Sequence, residues 1–202
     1  MATKQQLIDK VYWKVKDIRG GNAIHRNLIE HYMASAWNQI LHDAFNKNVT
    51  FLDFYAKEYT ALTPTKGTEN QYTVAMPAAI AQLPIKGEGV RRVQSTQADY
   101  TTGANVGVKF VPMSESAMRY KDNIDVGLAE NSIIGYTVRY DSIWFDKNMT
   151  SALAAAKVNL LLVVPFDVYT STEKIPAPSG KDVDLVNLTV QLAAGITGGE
   201  NK

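Results

Sequence analysis

One stretch, KVNLLLVVP at residues 157–165, restricts the possible folds more than any other part of the chain. Apolar residues follow one another without the alternation of a half-exposed strand, which is typical of a strand covered on both faces. Pro165 ends the run, because proline lacks the amide hydrogen that a sheet ladder needs. We therefore predict a central strand here, with other elements packed on both of its sides.

The segment after this strand is predicted to be a rigid spacer followed by a helix. Pro176 and Pro178 hold the chain extended. Ser179 or Asp182 can cap a helix that Gly195 closes. The apolar face of this helix is formed by residues at helical spacing, namely Val183, Val186, Val190 and Ala193.

Helical periodicity also marks the first 48 residues. One face of a first helix is shared by four apolar residues, Leu7, Val11, Val15 and Ile18. Gly20 and Gly21 end this helix, and Asn22 is predicted to cap a second one. The apolar stripe of the second helix consists of Leu28, Ile29, Tyr32, Met33, Ala36, Trp37, Ile40, Leu41, Ala44 and Phe45. A stripe this wide indicates packing on a sheet or between other helices, and not a lone coiled coil.

From residue 49 to residue 112 short β-like runs alternate with turns. The run at 48–64 fits a helix as well as a strand, and its β-branched and aromatic content favours a strand that ends before Pro64. The next elements are predicted to be a turn at 63–70, a strand at 71–76, a short helix at 77–84, a strand at 89–96 and a polar loop at 97–108.

Two further elements precede the central strand. Ser114 is predicted to cap a short helix within 111–122. The stretch 132–146 alternates and indicates a β-hairpin. We place its turn at Asp141 and Ser142, although the Asn-Gly pair that such turns prefer is missing.

These elements predict an α+β fold, with N-terminal helices packed with a mostly antiparallel sheet, a C-terminal docking helix and long extended loops. A chain of 202 residues fits one domain. Within it we expect a helical part at 1–48, a mainly β part with long loops at 49–175, a C-terminal helix at 179–195 and a flexible tail at 196–202.

Composition excludes several classes of protein. The 21 basic and 20 acidic side chains leave a net charge of +1, which is too small to attract free nucleic acid over a distance. The chain has no cysteine, so it has no disulfide, thiolate metal site or cysteine nucleophile. No run of about 18 apolar residues occurs, and MATKQQLIDK is polar where a signal peptide is apolar. We expect a soluble protein, synthesised in the cytoplasm and not associated with membranes.

No motif predicts a catalytic or cofactor site. His25, Glu30, His31 and His42 lie in the predicted second helix, but their spacing matches neither order of the zinc-protease motif. We expect these histidines to be solvated or to lie at an interface. KGEGVRRV lacks the third glycine of a dinucleotide fingerprint, and PSGKD lacks the upstream glycine of a phosphate loop. The expected protein is not an enzyme and has no cofactor or metal.

The candidates for subunit contacts are two arginines and two tyrosines. Arg91 and Arg92 form the only tight basic pair in the middle of the chain. They either bind a neighbouring subunit or a phosphate, or one faces solvent while the other lies along an edge strand. The chain has ten tyrosines, and tyrosine suits wet, permanent interfaces because one end is apolar and the other forms hydrogen bonds. We select Tyr72 and Tyr100 because they fall in the segments 60–73 and 94–108.

The order of segments resembles that of a family of phage proteins. MPAAIAQLP is followed by GVRRV, VKFVPMSESAMRY, YTVRYDSIWF, an apolar strand and IPAPSGKDVDLVNLTVQL. Over residues 70–195 this order is similar to head-to-tail connector proteins, the adaptor or tail-tubular-type ring proteins of short-tailed and crAss-like double-stranded DNA phages. In that family a strand ending in VPF is often followed by IPxPxxxxxxLVxxxVxxL.

The resemblance implies a structural virion protein that forms a homo-oligomeric ring, commonly a dodecamer. Such a ring docks on the portal protein and on neighbouring tail proteins, and it lines the channel through which double-stranded DNA leaves without sequence-specific binding. The extended segments 60–73 and 94–108 suit this role, because unpaired edges can complete a neighbour's sheet. Two alternatives stay open: another tail or capsid accessory protein, and an enzyme or ligand-binding protein whose site is built from residues distant in sequence.

Overall fold

The computed structural model describes residues 1–22, 24–67, 71–85, 87–96, 108–123 and 133–195. The helices among them are α1 (Lys4–Ile18), α2 (Arg26–Lys47), α3 (Glu115–Asn123), α4 (Ser151–Ala155) and α5 (Lys181–Ala194), with 3-10 helices at Val49–Tyr55 and Phe166–Val168. The strands are β1 (Ala56–Leu62), β2 (Thr65–Lys66), β3 (Tyr72–Ala75), β4 (Val90–Ser95), β5 (Lys109–Pro112), β6 (Ile133–Arg139), β7 (Ser142–Phe145) and β8 (Val158–Val163). The α+β class and the C-terminal helix are confirmed.

The chain folds into two compact units. The first consists of Met1–Lys57, Ile80–Gly89 and Val163–Lys202, and the second of Glu58–Ala79 and Val90–Leu162. The C-terminal segment, which starts where the predicted central strand ends, therefore joins the N-terminal helices in one unit.

In the first unit α1, α2 and α5 pack against one another. The buried residues of these helices are Lys4, Leu7, Ile8, Val11 and Val15 in α1, Ile29, Met33, Ala36, Trp37, Ile40, Leu41 and Ala44 in α2, and Leu185, Val186, Thr189, Val190 and Ala193 in α5. The predicted stripes are confirmed except at their ends. Ile18, Leu28 and Val183 are exposed, because each lies in a terminal turn of its helix, and Tyr32 and Phe45 are half-buried.

Trp37 lies in the middle of this core. Its indole nitrogen donates a hydrogen bond to the carbonyl oxygen of Val164 at 3.0 Å. The rings of Tyr55, Phe166 and Tyr169 surround it, with centroid distances of 5.7, 6.5 and 6.2 Å. A buried indole needs a partner for its N–H, and this bond provides one while it joins α2 to the chain just after β8.

The second unit contains two sheets where the sequence predicted one. In the smaller sheet β8 lies between β1 and β4, which confirms the central strand predicted from the apolar run. The larger sheet has the order β2-β3-β7-β6-β5, with β5 parallel to β6 and the other pairs antiparallel. Helix α3 lies between β5 and β6 in the chain and provides the crossover that a parallel pair requires. The run of apolar residues showed which strand is central, but not which strands pair.

The helix predicted at 77–84 is wrong. These residues form no regular element, and the amide of Ala81 donates to the carbonyl oxygen of Val163 at 2.8 Å. Ala81 is buried, so the segment lies against the core without helical hydrogen bonds of its own. A segment of this length gains too few internal hydrogen bonds to offset helix nucleation, and the tertiary hydrogen bond prevails.

Two predicted helix caps are also wrong. Helix α2 is capped by His25 and not by Asn22, because Ile24 is buried and the extended His25 accepts the amide hydrogen of Asn27 with its side chain. Helix α5 starts after Gly180, which has φ +86° and no capping side chain. The amide of Lys181 donates to the carbonyl oxygen of Pro178 at 3.0 Å, so a tight glycine turn ends the spacer in place of a Ser179 or Asp182 cap.

Other boundaries shift by a few residues. Only the second half of the run at 48–64 is a strand, since its first half is the 3-10 helix, and β2 occupies part of the predicted turn at 63–70. The hairpin turns at Tyr140 and Asp141, because Arg139 pairs with Ser142. Strand β5 was not predicted. Ser114 is confirmed as a cap, since its hydroxyl oxygen accepts the amide hydrogen of Ala117 at 3.2 Å.

Two predictions fall on residues outside the described ranges: most of the polar loop at 97–108 and the tail at 196–202. Among the helices that the structure describes, none combines the length and the apolar character that a membrane span requires.

A close contact at Gly135 gives a test of this fold. A β-carbon on Gly135 would lie 2.6 Å from Sδ of Met113 and 2.9 Å from Oδ2 of the buried Asp146, which already accepts the Gly135 amide hydrogen at 2.7 Å. We expect Gly135→Ala to lower the free energy of unfolding by about 1–3 kcal/mol in urea denaturation. Gly67→Ala is the control, because its nearest neighbour would be 3.5 Å away. Equal stability of the two variants would contradict the packing described.

Candidate docking groove

The site begins where α2 ends. Asn48 donates its amide hydrogen to the carbonyl oxygen of Ala44 at 3.0 Å and so closes α2. The same residue starts the 3-10 helix, because its side-chain oxygen accepts hydrogen bonds from the amide and the hydroxyl of Thr50 at 3.0 and 2.9 Å. Asparagine suits both tasks, since its short side chain bonds readily to nearby backbone. The chain therefore turns directly from the long helix into the 3-10 segment.

The 3-10 geometry separates the apolar side chains of Val49–Tyr55 into two rows. With three residues per turn, residues three apart lie above one another. Leu52 and Tyr55 therefore point into the core, where both are buried. Phe51 and Phe54 form the outer row and are 44% and 60% exposed. Two neighbouring phenylalanines in water are unfavourable for an isolated chain and favour contact with another molecule.

A groove of about 420 Å³ lies beside this pair. It is lined by Ile40, Asp43, Ala44 and Lys47 of α2, by Phe51, Phe54 and Tyr55 of the 3-10 helix, and by Pro178, Lys181, Asp184 and Leu188 from the end of the spacer and from α5. Its lining is mostly apolar, with the charged groups coming from the two helices. This combination is typical of sites that bind an apolar group and orient it with a few polar contacts.

The charges beside the groove are balanced. The ammonium group of Lys181 lies 2.5 Å from Oδ2 of Asp184, and this hydrogen bond raises the pKa of Lys181 above its ordinary value. Burial raises the pKa of Tyr55, and the nearby charge of Lys181 opposes part of that rise. Among the described residues, Asp43 and Lys47 form no ion pair.

The arrangement is suited to binding. Its polar groups are the phenol of Tyr55, the ion pair of Lys181 with Asp184, and the side chains of Asp43 and Lys47, and the histidines lie elsewhere. His25 caps α2, and a ring nitrogen of the exposed His42 lies 3.0 Å from the carbonyl oxygen of Gln82. Within the described ranges no group of three or more histidines and acidic residues could hold a metal ion.

The residues selected from sequence lie outside this groove. Arg92 is exposed on β4, and the half-buried Arg91 falls at the bulge between the pairs Val90–Leu162 and Arg92–Leu161. Tyr72 is half-buried at the start of β3, opposite Lys66. Tyr100 lies outside the described residues. Their part in subunit contacts stays a prediction.

Sequence reasoning missed the groove itself. Its two walls come from residues 40–55 and 178–188, which no local motif connects. One signal was present, since Phe51, Leu52, Phe54 and Tyr55 repeat with a period of three, but over so few residues this spacing also fits an α-helix.

Comparison with known proteins gives no identity for the chain. No protein-family model matches it, and no curated protein sequence matches it.

The raised pKa of Tyr55 predicts a loss of stability at high pH. The folded pKa lies above the ordinary value of 10.0, so the folded state retains a proton that the unfolded state loses, and stability falls as the pH rises through 10. Tyr55→Phe removes this contribution. Free energies of unfolding from urea titrations between about pH 8 and pH 11 should therefore fall less steeply in the variant. Lys181 acts with the same sign, because its raised pKa stabilises the folded state only while the ammonium is charged. Parallel curves for wild type and Tyr55→Phe would contradict this account.

Proposed function

We propose that this protein is a structural virion protein, a ring subunit of the head-to-tail connector of a short-tailed or crAss-like double-stranded DNA phage. Copies of the chain form a ring, commonly twelvefold, that docks on the portal protein or an adjacent ring. The ring lines the DNA exit channel and has no enzymatic activity. The resemblance over residues 70–195 supports this family, and the subunit is located in the virion.

The observation that carries the proposal is the set of strands that border the two sheets. Within the described residues, β1 and β4 border the smaller sheet, and β2 and β5 border the larger one. An edge strand presents amide and carbonyl groups that a neighbouring chain can pair with. A subunit with several edges can therefore contact neighbours on more than one side.

The edges also carry features that prevent unselective pairing. Pro64 precedes β2, Pro112 ends β5, and β4 has a bulge at Arg91. Prolines and bulges limit the length of strand that a random partner can add. The same features leave short, specific pairings possible, as a defined assembly requires.

The net charge suits a channel wall. With a charge of +1 the subunit neither repels DNA strongly nor binds it by releasing many counterions. DNA can therefore slide past the ring.

Electron microscopy of the purified chain over a range of concentrations tests the proposal, and the expected result is closed rings with a central opening that admits a duplex. A chain that stays monomeric at every concentration contradicts it.

The exposed arginine of β4 gives a mutational test of assembly. We expect Arg92→Glu to raise the concentration needed for ring formation about five- to tenfold, because a charge at the rim of an interface guides association. The melting temperature of the free subunit should stay the same, since the side chain is exposed. Lys10→Glu on the exposed face of α1 is the control and should leave assembly unchanged. A large fall in the melting temperature of Arg92→Glu would instead place this side chain inside the fold.

A further inference from the structure

The tip of the β6–β7 hairpin has an unfavourable residue. Arg139 pairs with Ser142, so Tyr140 and Asp141 form a two-residue turn, and Tyr140 has φ +52°. Turns of this kind prefer asparagine, aspartate or glycine, because a bulky side chain is strained at positive φ. Tyr140 is also 96% exposed. The position therefore combines backbone strain with an aromatic ring in water.

Two other described residues besides glycine have positive φ. Ala61 has φ +59°, and its amide donates to the side-chain oxygen of Asn159 at 2.9 Å. Lys157 has φ +60°, and its carbonyl oxygen accepts the amide hydrogen of Thr96 at 3.3 Å. The turn at Tyr140 is also held by the backbone, because Arg139 pairs with Ser142 and the carbonyl oxygen of Asp141 accepts the amide hydrogen of Met76 at 2.7 Å. Tyr140 differs in its side chain, which is large and exposed and forms no hydrogen bond with the described residues. Strained residues that the surrounding structure holds in place are typical of functional positions.

The groove has the size and the lining for such a ring. Its volume of about 420 Å³ exceeds what one phenol ring needs and leaves room for flanking backbone. Phe51 and Phe54 offer ring edges and faces to an incoming aromatic residue, while Leu188 and Ile40 provide aliphatic contacts. Tyrosine is among the residues that contribute most when buried at the centre of an interface.

We infer that the hairpin tip of one copy, with Tyr140 at its end, inserts into the groove of a second copy. This inference rests on the proposed function as a ring subunit. The tip and the groove share no residue, so the contact joins two different surfaces. A contact between two different surfaces repeats from copy to copy, and it closes into a ring when the rotation per copy is an exact fraction of a turn.

The charges beside the two surfaces are complementary. At the tip, Arg139 already pairs with Glu115 at 3.0 Å and stacks over Trp144 at 4.6 Å, so the remaining charge is that of the exposed Asp141. Beside the groove, Lys181 forms an ion pair with Asp184 and is also close to Asp43. Lys47 is then the cation left to meet Asp141. Pairing of these two charges would fix the direction in which the hairpin enters.

The absence of cysteine makes a direct test possible. Two single-cysteine variants, Asp141→Cys and Lys47→Cys, are mixed and oxidised, so that any disulfide forms between copies. We expect a cross-linked heterodimer in the mixture, in clear excess over the homodimers that each variant forms alone. Lys10→Cys in place of Lys47→Cys is the control and should not cross-link. Adding Tyr140→Asn to the Asp141→Cys chain should reduce the yield about tenfold.

Sedimentation of two complementary variants gives a second test of the contact between copies. Tyr140→Asn and Phe54→Ser should each weaken self-association about thirtyfold, the usual loss at a central contact. Tyr140→Asn should at the same time raise the unfolding midpoint slightly, because asparagine tolerates positive φ. A mixture of the two variants keeps one intact tip and one intact groove. It should therefore form 1:1 pairs that do not grow further.

The outcomes separate this inference from the proposed function. Rings of wild type that persist in Tyr140→Asn, with no cross-link, overturn the inference and leave the proposed function in place. A cross-link between copies that never form rings supports the contact and contradicts the connector proposal. A groove filled by a co-purified small molecule, with no cross-link, overturns the inference, and wild type that forms neither rings nor cross-links overturns both.

Discussion

The hydrogen bond from Trp37 to the carbonyl oxygen of Val164 is the contact on which the first unit depends. Pro165 ends the strand ladder, and without this bond the buried carbonyl just before it would need another partner. The bond fixes α2 to the chain at Val164. Because Tyr55 packs edge-on against Trp37, the same contact fixes the 3-10 helix and directs Phe51 and Phe54 outward. The groove is thus a consequence of how one indole is buried.

The second wall of the groove depends on how the spacer and α5 are held. The N-terminus forms backbone hydrogen bonds with the spacer, from Lys4 to Glu173 at 2.9 Å and from Ile175 to Ala2 at 3.1 Å. At the other end of α1, the guanidinium of Arg19 donates to the carbonyl oxygen of Ala193 at 2.6 Å. Helix α1 is therefore attached to the chain before and at the end of α5. This attachment sets the position of α5, and with it one wall of the groove.

The sequence predicted those features that depend on one uninterrupted pattern. The apolar run gave β8 its central place, and periodic stripes located α1, α2 and α5, because burial of a whole face outweighs local preference. Features decided by a single tertiary contact could not be predicted. The segment 77–84 follows the hydrogen bond of Ala81 to Val163, and the start of α2 follows the burial of Ile24. The pairing of β5 with β6 depends on α3 as a crossover, which no residue of β5 itself indicates.

The candidate site was less predictable than the fold for the same reason. Arg91 and Arg92 were noticed because they are adjacent, whereas the groove joins residues more than 120 positions apart, from Ile40 to Leu188. The period of three in the 3-10 helix was readable, but over so few residues it also fits an α-helix. The predicted turn at Asp141 and Ser142 left Tyr140 out, and only the register of the hairpin places this residue in the turn.

If copies of this near-neutral chain associate as proposed, they do so mainly by burying apolar surface. Several charges on the described surface are already used within the chain, as in the pair of Arg26 with Asp9 and the shared Glu115 of Arg119 and Arg139. Exposed pairs of this kind contribute little to stability, but they remove charges that would otherwise attract unrelated partners. What remains for association is a small set of exposed aromatic residues with few free charges nearby. On such a surface, burial of the aromatic rings provides the affinity for a partner. The charges fix the orientation in which the partner binds, as they do in other specific interfaces.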